Sequence, residues 1–290
     1  MNLADGIRDL ITGQGTGEDR HRGGGMGGLD RRQALLTVAA GAVGLLAGGA
    51  PVLIRAVQPD HAPRTSPKAR GAVAHGPPPD PSYAHGPLRA LQRPAHGLKE
   101  LSPPAPPTAV ALTVDDGPHP TWTPRMLDLL AEFRVRATFS LIGEQVHEYP
   151  QLVKRIVADG HQVSDHTMTH PLNLPQLSAS KIKTEIGETH DRIAQATGVA
   201  PKFFRAPGGN WSTRVLDTAA EHGMVSIDWA VDPRDWARPG TGRISKTLLG
   251  ATAGDILLCH DGGGDRSETI QALRNVIPAL QKRGLTFVAL

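Results

Sequence analysis

Ala109-Val110-Ala111-Leu112-Thr113-Val114-Asp115-Asp116-Gly117-Pro118 is the stretch on which the fold turns. A short apolar run ends in two adjacent carboxylates, and a Gly-Pro pair then forces a turn. That order reads as a β-strand carrying two acids to its C-terminal tip. Neighbouring carboxylates repel and are costly to desolvate, so a fold keeps such a pair only with a cation or a proton beside it. Successive side chains on a regular strand point to opposite faces, which predicts that Asp115 and Asp116 do different work.

Downstream of this strand the chain becomes regular. Thr123-Pro124 reads as a helix N-cap followed by Pro at the first helical position, with Met126, Leu127, Leu130 and Phe133 on one apolar face. Ala137–Ile142 reads as a strand, Pro150 opens a helix that Gly160 stops, and a short strand surrounds Val163. Ser178 begins a helix carrying Ile182, Ile186 and Ile193, which ends at Gly198. Strands over Lys202–Arg205, Met224–Trp229, Ile256–Cys259 and Leu285–Leu290 alternate with helices begun by Ser212, near Ile244 and near Glu268. Pro278 is expected to kink the last helix. About seven strands, each but the last followed by a helix, predict a parallel α/β sheet.

The ionisable residues fall at one edge of that sheet. Asp115-Asp116, His166 with His170, Arg205, Asp232 with Asp235, and His260 each lie at or just beyond the C-terminal end of an expected strand. Parallel α/β folds build their sites at that edge. A barrel brings every strand end to one mouth, so the expected architecture is a distorted, TIM-like (β/α) barrel of parallel strands over residues 108–290.

The rest of the chain has a different character. Residues 1–33 are polar and Gly-rich, and residues 34–54 carry no charge and follow Arg31-Arg32. The apolar run suits a signal-peptide h-region or a membrane anchor, with the arginines favouring an N-in, C-out orientation. Asp30-Arg31-Arg32-Gln33-Ala34-Leu35-Leu36 loosely resembles a twin-arginine export signal. Residues 55–107 are rich in Pro, Ala, Gly and His and read as a disordered linker that holds the domain away from a membrane. The catalytic part is therefore expected outside the cytoplasm, either secreted or anchored, and as a monomer. The net charge of +3 comes without a Lys/Arg patch interleaved with aromatics, so the composition does not point to nucleic acid. Cys259 is the single cysteine, which excludes an intrachain disulfide and any zinc site of several thiolates. Its apolar neighbours mark it as a packed thiol.

A metal in this chain must be held by His and carboxylate. His166-Thr167-Met168-Thr169-His170 has the i,i+4 spacing that places two imidazoles on one side of a helical turn. Added to one carboxylate of the Asp115-Asp116 pair, it makes a two-His, one-carboxylate site with an open position, and frees the other aspartate to act as a base.

At this point the domain resembles the NodB-homology polysaccharide deacetylases, carbohydrate esterase family 4. Thr113–Pro118, His166–His170, Arg205-Ala206-Pro207-Gly208-Gly209, Asp232-Pro233-Arg234-Asp235-Trp236 and Leu258-Cys259-His260 match its five motifs in order, with Val114 where Phe is commoner. The resemblance implies hydrolysis of N-acetyl groups on an N-acetylglucosamine polysaccharide, peptidoglycan or chitin-like. An O-acetyl esterase on acetylxylan, or an inactive glycan-binding protein, are the alternatives. It implies that Asp116, His166 and His170 hold a divalent metal, zinc or another such as cobalt, and that Asp115 is the base toward a water held there. Arg205 would orient Asp115, His260 would be the acid, and Asp235 would orient His260. Gly208 would supply a backbone N–H to the oxyanion, Trp236 and Leu258 would shape the acetyl pocket, and Trp211 would face a sugar.

Overall fold

A computed structural model describes residues 91–290. The expected signal or anchor segment and most of the expected linker lie outside the described residues. Among the described residues no helix is long and apolar enough to cross a membrane.

Seven strands form one parallel sheet: β1 (Ala109–Gly117), β2 (Thr138–Leu141), β3 (Gln162–Asp165), β4 (Phe203–Phe204), β5 (Val225–Ser226), β6 (Ile256–His260) and β7 (Thr286–Val288). Their order is β5-β4-β3-β2-β1-β6, and β7 pairs with the first residues of β1. The sheet curls into a partial barrel. Isolated bridges from Ala95 to Ile227, Gly97 to Asp255 and Val231 to Leu257 link the region after β5 with the start of β6.

Side-chain alternation on β1 divides the molecule. Val110, Leu112 and Val114 pack outward into the large core formed with α1 (Trp122–Phe133), α3 (Pro150–Ala158), α6 (Thr241–Leu248) and α7 (Ser267–Lys282). Ala109 and Ala111 face the other way, into a smaller core with Phe203, Ile256 and Leu290. Strand β6 alternates likewise, with Leu257 and Cys259 outward and Ile256 inward. Thr113, Asp115 and His260 continue the inward rows toward the strand ends. Buried Cys259 is thus a packed thiol, and burial pushes its pKa well up.

Several boundaries differ from the expected ones. Residues just before position 108 are not linker: Ala95, Leu98 and Leu101 are buried in the inner core. Proline excludes regular helix and ladder there, but it does not prevent apolar side chains from packing. Helix α1 starts at Trp122 with Thr121 at its cap, so Thr123 is not the cap. An additional short helix, α2 (Gly143–Glu148), follows β2. Ser178 caps α4 (Ala179–Thr197) by accepting from the Lys181 N–H, and Ser212 caps α5 (Thr213–Glu221) by accepting from that of Val215. Helix α7 runs through Pro278. His161 is buried edge-on against Phe139 and accepts from the Ala137 N–H.

Candidate active site

The strand ends converge as the alternation requires, with one correction at Asp116. The β1–β2 register slips between Asp115, opposite Ser140, and Gly117, opposite Leu141. Asp116 is the extra residue, with a left-handed φ of 73°. A bulge of this kind re-aims a side chain. The two carboxylates therefore do not point to opposite faces: Asp115 Oδ2 lies 3.8 Å and Asp116 Oδ1 3.6 Å from the same His166 Nε2.

The His166–His170 pair also departs from its expected geometry. The segment is a loop after β3, not a helical turn, and Thr167 and His170 adopt φ of 67° and 58°. The loop is held from beneath. Asp165 accepts from the Thr167 N–H, and Glu185 of α4 accepts from both the N–H and the hydroxyl of Thr169. His166 Nδ1 donates to the Arg205 carbonyl at 2.7 Å, which leaves Nε2 as the free lone pair.

Asp116, His166 and His170 offer ligand atoms that all lie within 4.8 Å of one another. Asp116 Oδ1 is buried and has no well-formed hydrogen bond, although His170 Nε2 approaches to 3.3 Å. Converging, unsatisfied oxygen and imidazole donors fit a divalent metal. Burial opposes the charge of Asp116, and the neighbouring His166, His260 and His170 outweigh it, holding its carboxyl far below the usual range. Burial, aided by His166, pushes the pKa of His170 down. Burial also works against a charge on His166, but Asp115 and Asp116 raise its pKa overall.

Arg205 leaves β4 and fills the barrel interior with 0% exposure. Its Nη1 donates to Thr113 Oγ1 at 2.7 Å and to Asp115 Oδ1 at 2.8 Å, and its Nη2 to the Asp228 carbonyl at 2.8 Å. Small Ala109 and Ala111 lie below Thr113 on the same face of β1. Asp228 in turn accepts from Trp211 Nε1 at 3.1 Å. Trp211 is half-buried and stands edge-on to Phe204, so its indole N–H is tied into the support of Arg205.

The opposite wall belongs to β6. His260 Nδ1 meets Asp235 Oδ1 at 2.7 Å, and Asp235 Oδ2 accepts from the His260 N–H and the Thr269 hydroxyl. Burial works against a charged His260, but Asp235 raises its pKa to about 9. Asp232 accepts from the Arg234 N–H in a turn, and Asp235 is the carboxylate of that motif that meets His260. Leu258 is buried on the inner row. Trp236, beside Asp235, is 52% exposed. Gly208, with φ of 62°, lies where a Cβ would meet Leu172, itself 61% exposed.

Three supporting residues escape a reading of the sequence. Asp261 is fully buried, accepts from the Thr123 hydroxyl at 2.6 Å, and donates its N–H to the Asp115 carbonyl. Burial, with Asp116 and Asp115 nearby, raises its pKa to about 7. Arg266 is buried beneath the Gly262–Gly264 turn. The glycine run that follows Asp261 is a signal that backbone passes close to something. Here it passes Asp116: a Cβ on Gly262 would lie 2.0 Å from the Asp116 carbonyl oxygen.

Relatives with this arrangement are known. The family described as "Polysaccharide deacetylase" matches residues 102–227, which takes in the β1, β3 and β4 ends but not Asp235 or His260. A chitooligosaccharide deacetylase of Bradyrhizobium sp. (strain ANU 289) is 45% identical over 189 residues, covering 61% of this chain and 86% of the relative. A peptidoglycan-N-acetylglucosamine deacetylase of Bacillus cereus is 42% identical over 182 residues, covering 62% and 84%. The crystal structure of a peptidoglycan N-acetylglucosamine deacetylase superposes with a TM-score of 0.63 at 35% identity, covering 68% of this chain and 90% of that one. Sequence likeness over most of a relative's length and a shared curled parallel sheet agree: this chain belongs to the polysaccharide deacetylase family.

Proposed function

We propose that this protein is a metal-dependent hydrolase that removes N-acetyl groups from N-acetylglucosamine units of a polysaccharide, peptidoglycan or chitin-like, and releases acetate. The observation that carries this reading is the unsatisfied donor set of Asp116, His166 and His170, flanked by two oppositely built pairs, Arg205–Asp115 and Asp235–His260. The names of the relatives support the N-acetylglucosamine substrate.

Asp116, His166 and His170 would hold a divalent metal, best suited as zinc, which when bound polarises a carbonyl and lowers the pKa of water. Cobalt or another divalent ion suits the same donors. Asp115, fixed by Arg205, takes the proton of the attacking water as its oxygen bonds to the acetyl carbon. The backbone N–H of Gly208 would donate to the developing oxyanion. His260 then gives its Nε2 proton to the departing nitrogen as the C–N bond breaks. Asp235 keeps that imidazole charged and oriented until then. An amine is a poor leaving group without this proton. Trp236 and Leu258 would border the acetyl group, and Trp211 braces Arg205 through Asp228.

The test is acetate release by the full-length, zinc-loaded protein from N-acetylglucosamine oligomers, peptidoglycan and acetylated xylan. Release from the first two supports the reading. Release from xylan alone makes it an ester hydrolase, and glycan retention without release makes it a binding protein. The site outside the cytoplasm rests on residues 1–54, and sequencing the mature N-terminus decides between a cleaved signal and an anchor.

A further inference from the structure

We propose that Arg266 is a positioning residue that couples the metal-ligand end of the site to its proton-donating end. The inference rests on the reading above and deepens it. Arg266 is 3% exposed, and among the described residues no carboxylate lies within ion-pair distance of it. A guanidinium buried without a direct ion pair is costly, and with Asp265 attracting it only at longer range its hydrogen bonds to backbone carbonyls carry the local compensation.

Those bonds reach both halves of the site. Nε donates to the Gly262 carbonyl at 2.6 Å, and Nη1 reaches the Asp235 carbonyl at 3.5 Å. Asp235 is the residue bonded to His260. Gly262 and Gly263 form the wall against Asp116. A Cβ on Gly263 would sit 3.1 Å from Asp116 Oδ2 and 3.2 Å from Arg266 Nη2. The glycine turn is therefore packed between Asp116 and Arg266. Withdrawing the guanidinium frees that turn, and with it both the bulged Asp116 and the backbone that presents Asp235. A lysine retains the charge but not the fork that reaches two carbonyls.

The experiment compares full-length wild type, Arg266→Lys and Arg266→Gln for zinc affinity, kcat, KM and melting temperature. In both variants we expect zinc affinity and kcat each to fall about tenfold or more, the usual scale for groups that orient ligands. KM should stay within about twofold, because the substrate does not touch Arg266. Wild-type zinc affinity and kcat in Arg266→Lys would overturn the proposal, since charge alone would then suffice. Failure of both variants to fold would also overturn it, because the arginine would then serve folding rather than position. Zinc affinity is read without substrate. A wild type that releases no acetate would thus defeat the proposed reaction while leaving this coupling measurable.

Discussion

The two ends of the site are built from the same kind of pair with the roles exchanged. At the β1–β4 end, Arg205 carries the permanent charge and Asp115, 2.8 Å away, is the working group of the proposed reaction. At the β6 end, Asp235 is the fixed partner and His260, 2.7 Å away, is the proposed working group. Both fixed partners are almost wholly buried, Arg205 at 0% and Asp235 at 1% exposure. In the proposed reaction one end receives a proton and the other releases one, and the Asp235 carboxylate holds His260 toward its charged form. Similar scaffolding would then serve opposite proton transfers.

The sharpest way to break this comparison is Asp115→Asn. We expect kcat to fall about 10³-fold or more, near the upper range for loss of a general base, with zinc still bound. Zinc content by atomic absorption, alongside acetate release, checks it. Loss of zinc here and its retention in Asp116→Asn would exchange the two roles. At the other end, Asp235→Asn is expected to lower kcat about 100-fold and to move the alkaline limb of the pH profile to lower pH. The same pair affects stability. The folded pKa of His260 is raised to about 9 from 6.5, so its contribution is complete below the lower value and lost as pH rises through the higher. Melting of metal-free protein between pH 6 and 9 should show that loss in wild type and much less of it in Asp235→Asn.

Smaller effects sharpen the picture. Arg205→Lys keeps the sign of the charge but cannot reach Thr113, Asp115 and the Asp228 carbonyl together. We expect about a tenfold loss of kcat with a lower melting temperature. Thr123→Val removes the hydroxyl on Asp261, outside both pairs. It should cost about 1–3 kcal/mol in urea unfolding, the scale for orphaning a buried acceptor, with zinc still bound.

Much of this arrangement is legible before any coordinates are known. Alternating strands and helices, and ionisable residues at five strand ends, follow from periodicity and turn residues alone. What stays hidden depends on backbone geometry or on contacts distant in sequence. The i,i+4 spacing of His166 and His170 suggests a helical turn, but positive φ at Thr167 and His170 brings the rings together in a loop. Glu185 supports that loop from another element and looks like an ordinary helical acid. Ala95, Leu98 and Leu101 stand among prolines, where local propensity says nothing about packing. Nothing in the sequence tells that the Trp211 N–H is held by Asp228. The unusual sign at Arg266 is only that it lies two residues beyond three glycines.

The bulge at Asp116 has a consequence for how such a site can be copied or altered. Deleting Val114 would restore regular pleating and turn one carboxylate toward the helices while keeping both aspartates. The bulge also needs bare backbone opposite, since any side chain at Gly262 would collide with the Asp116 carbonyl. Positions 116 and 262 are thus a lock and its keyway from distant parts of the chain. A graft of the two aspartates onto another parallel sheet would fail unless that glycine travelled with them.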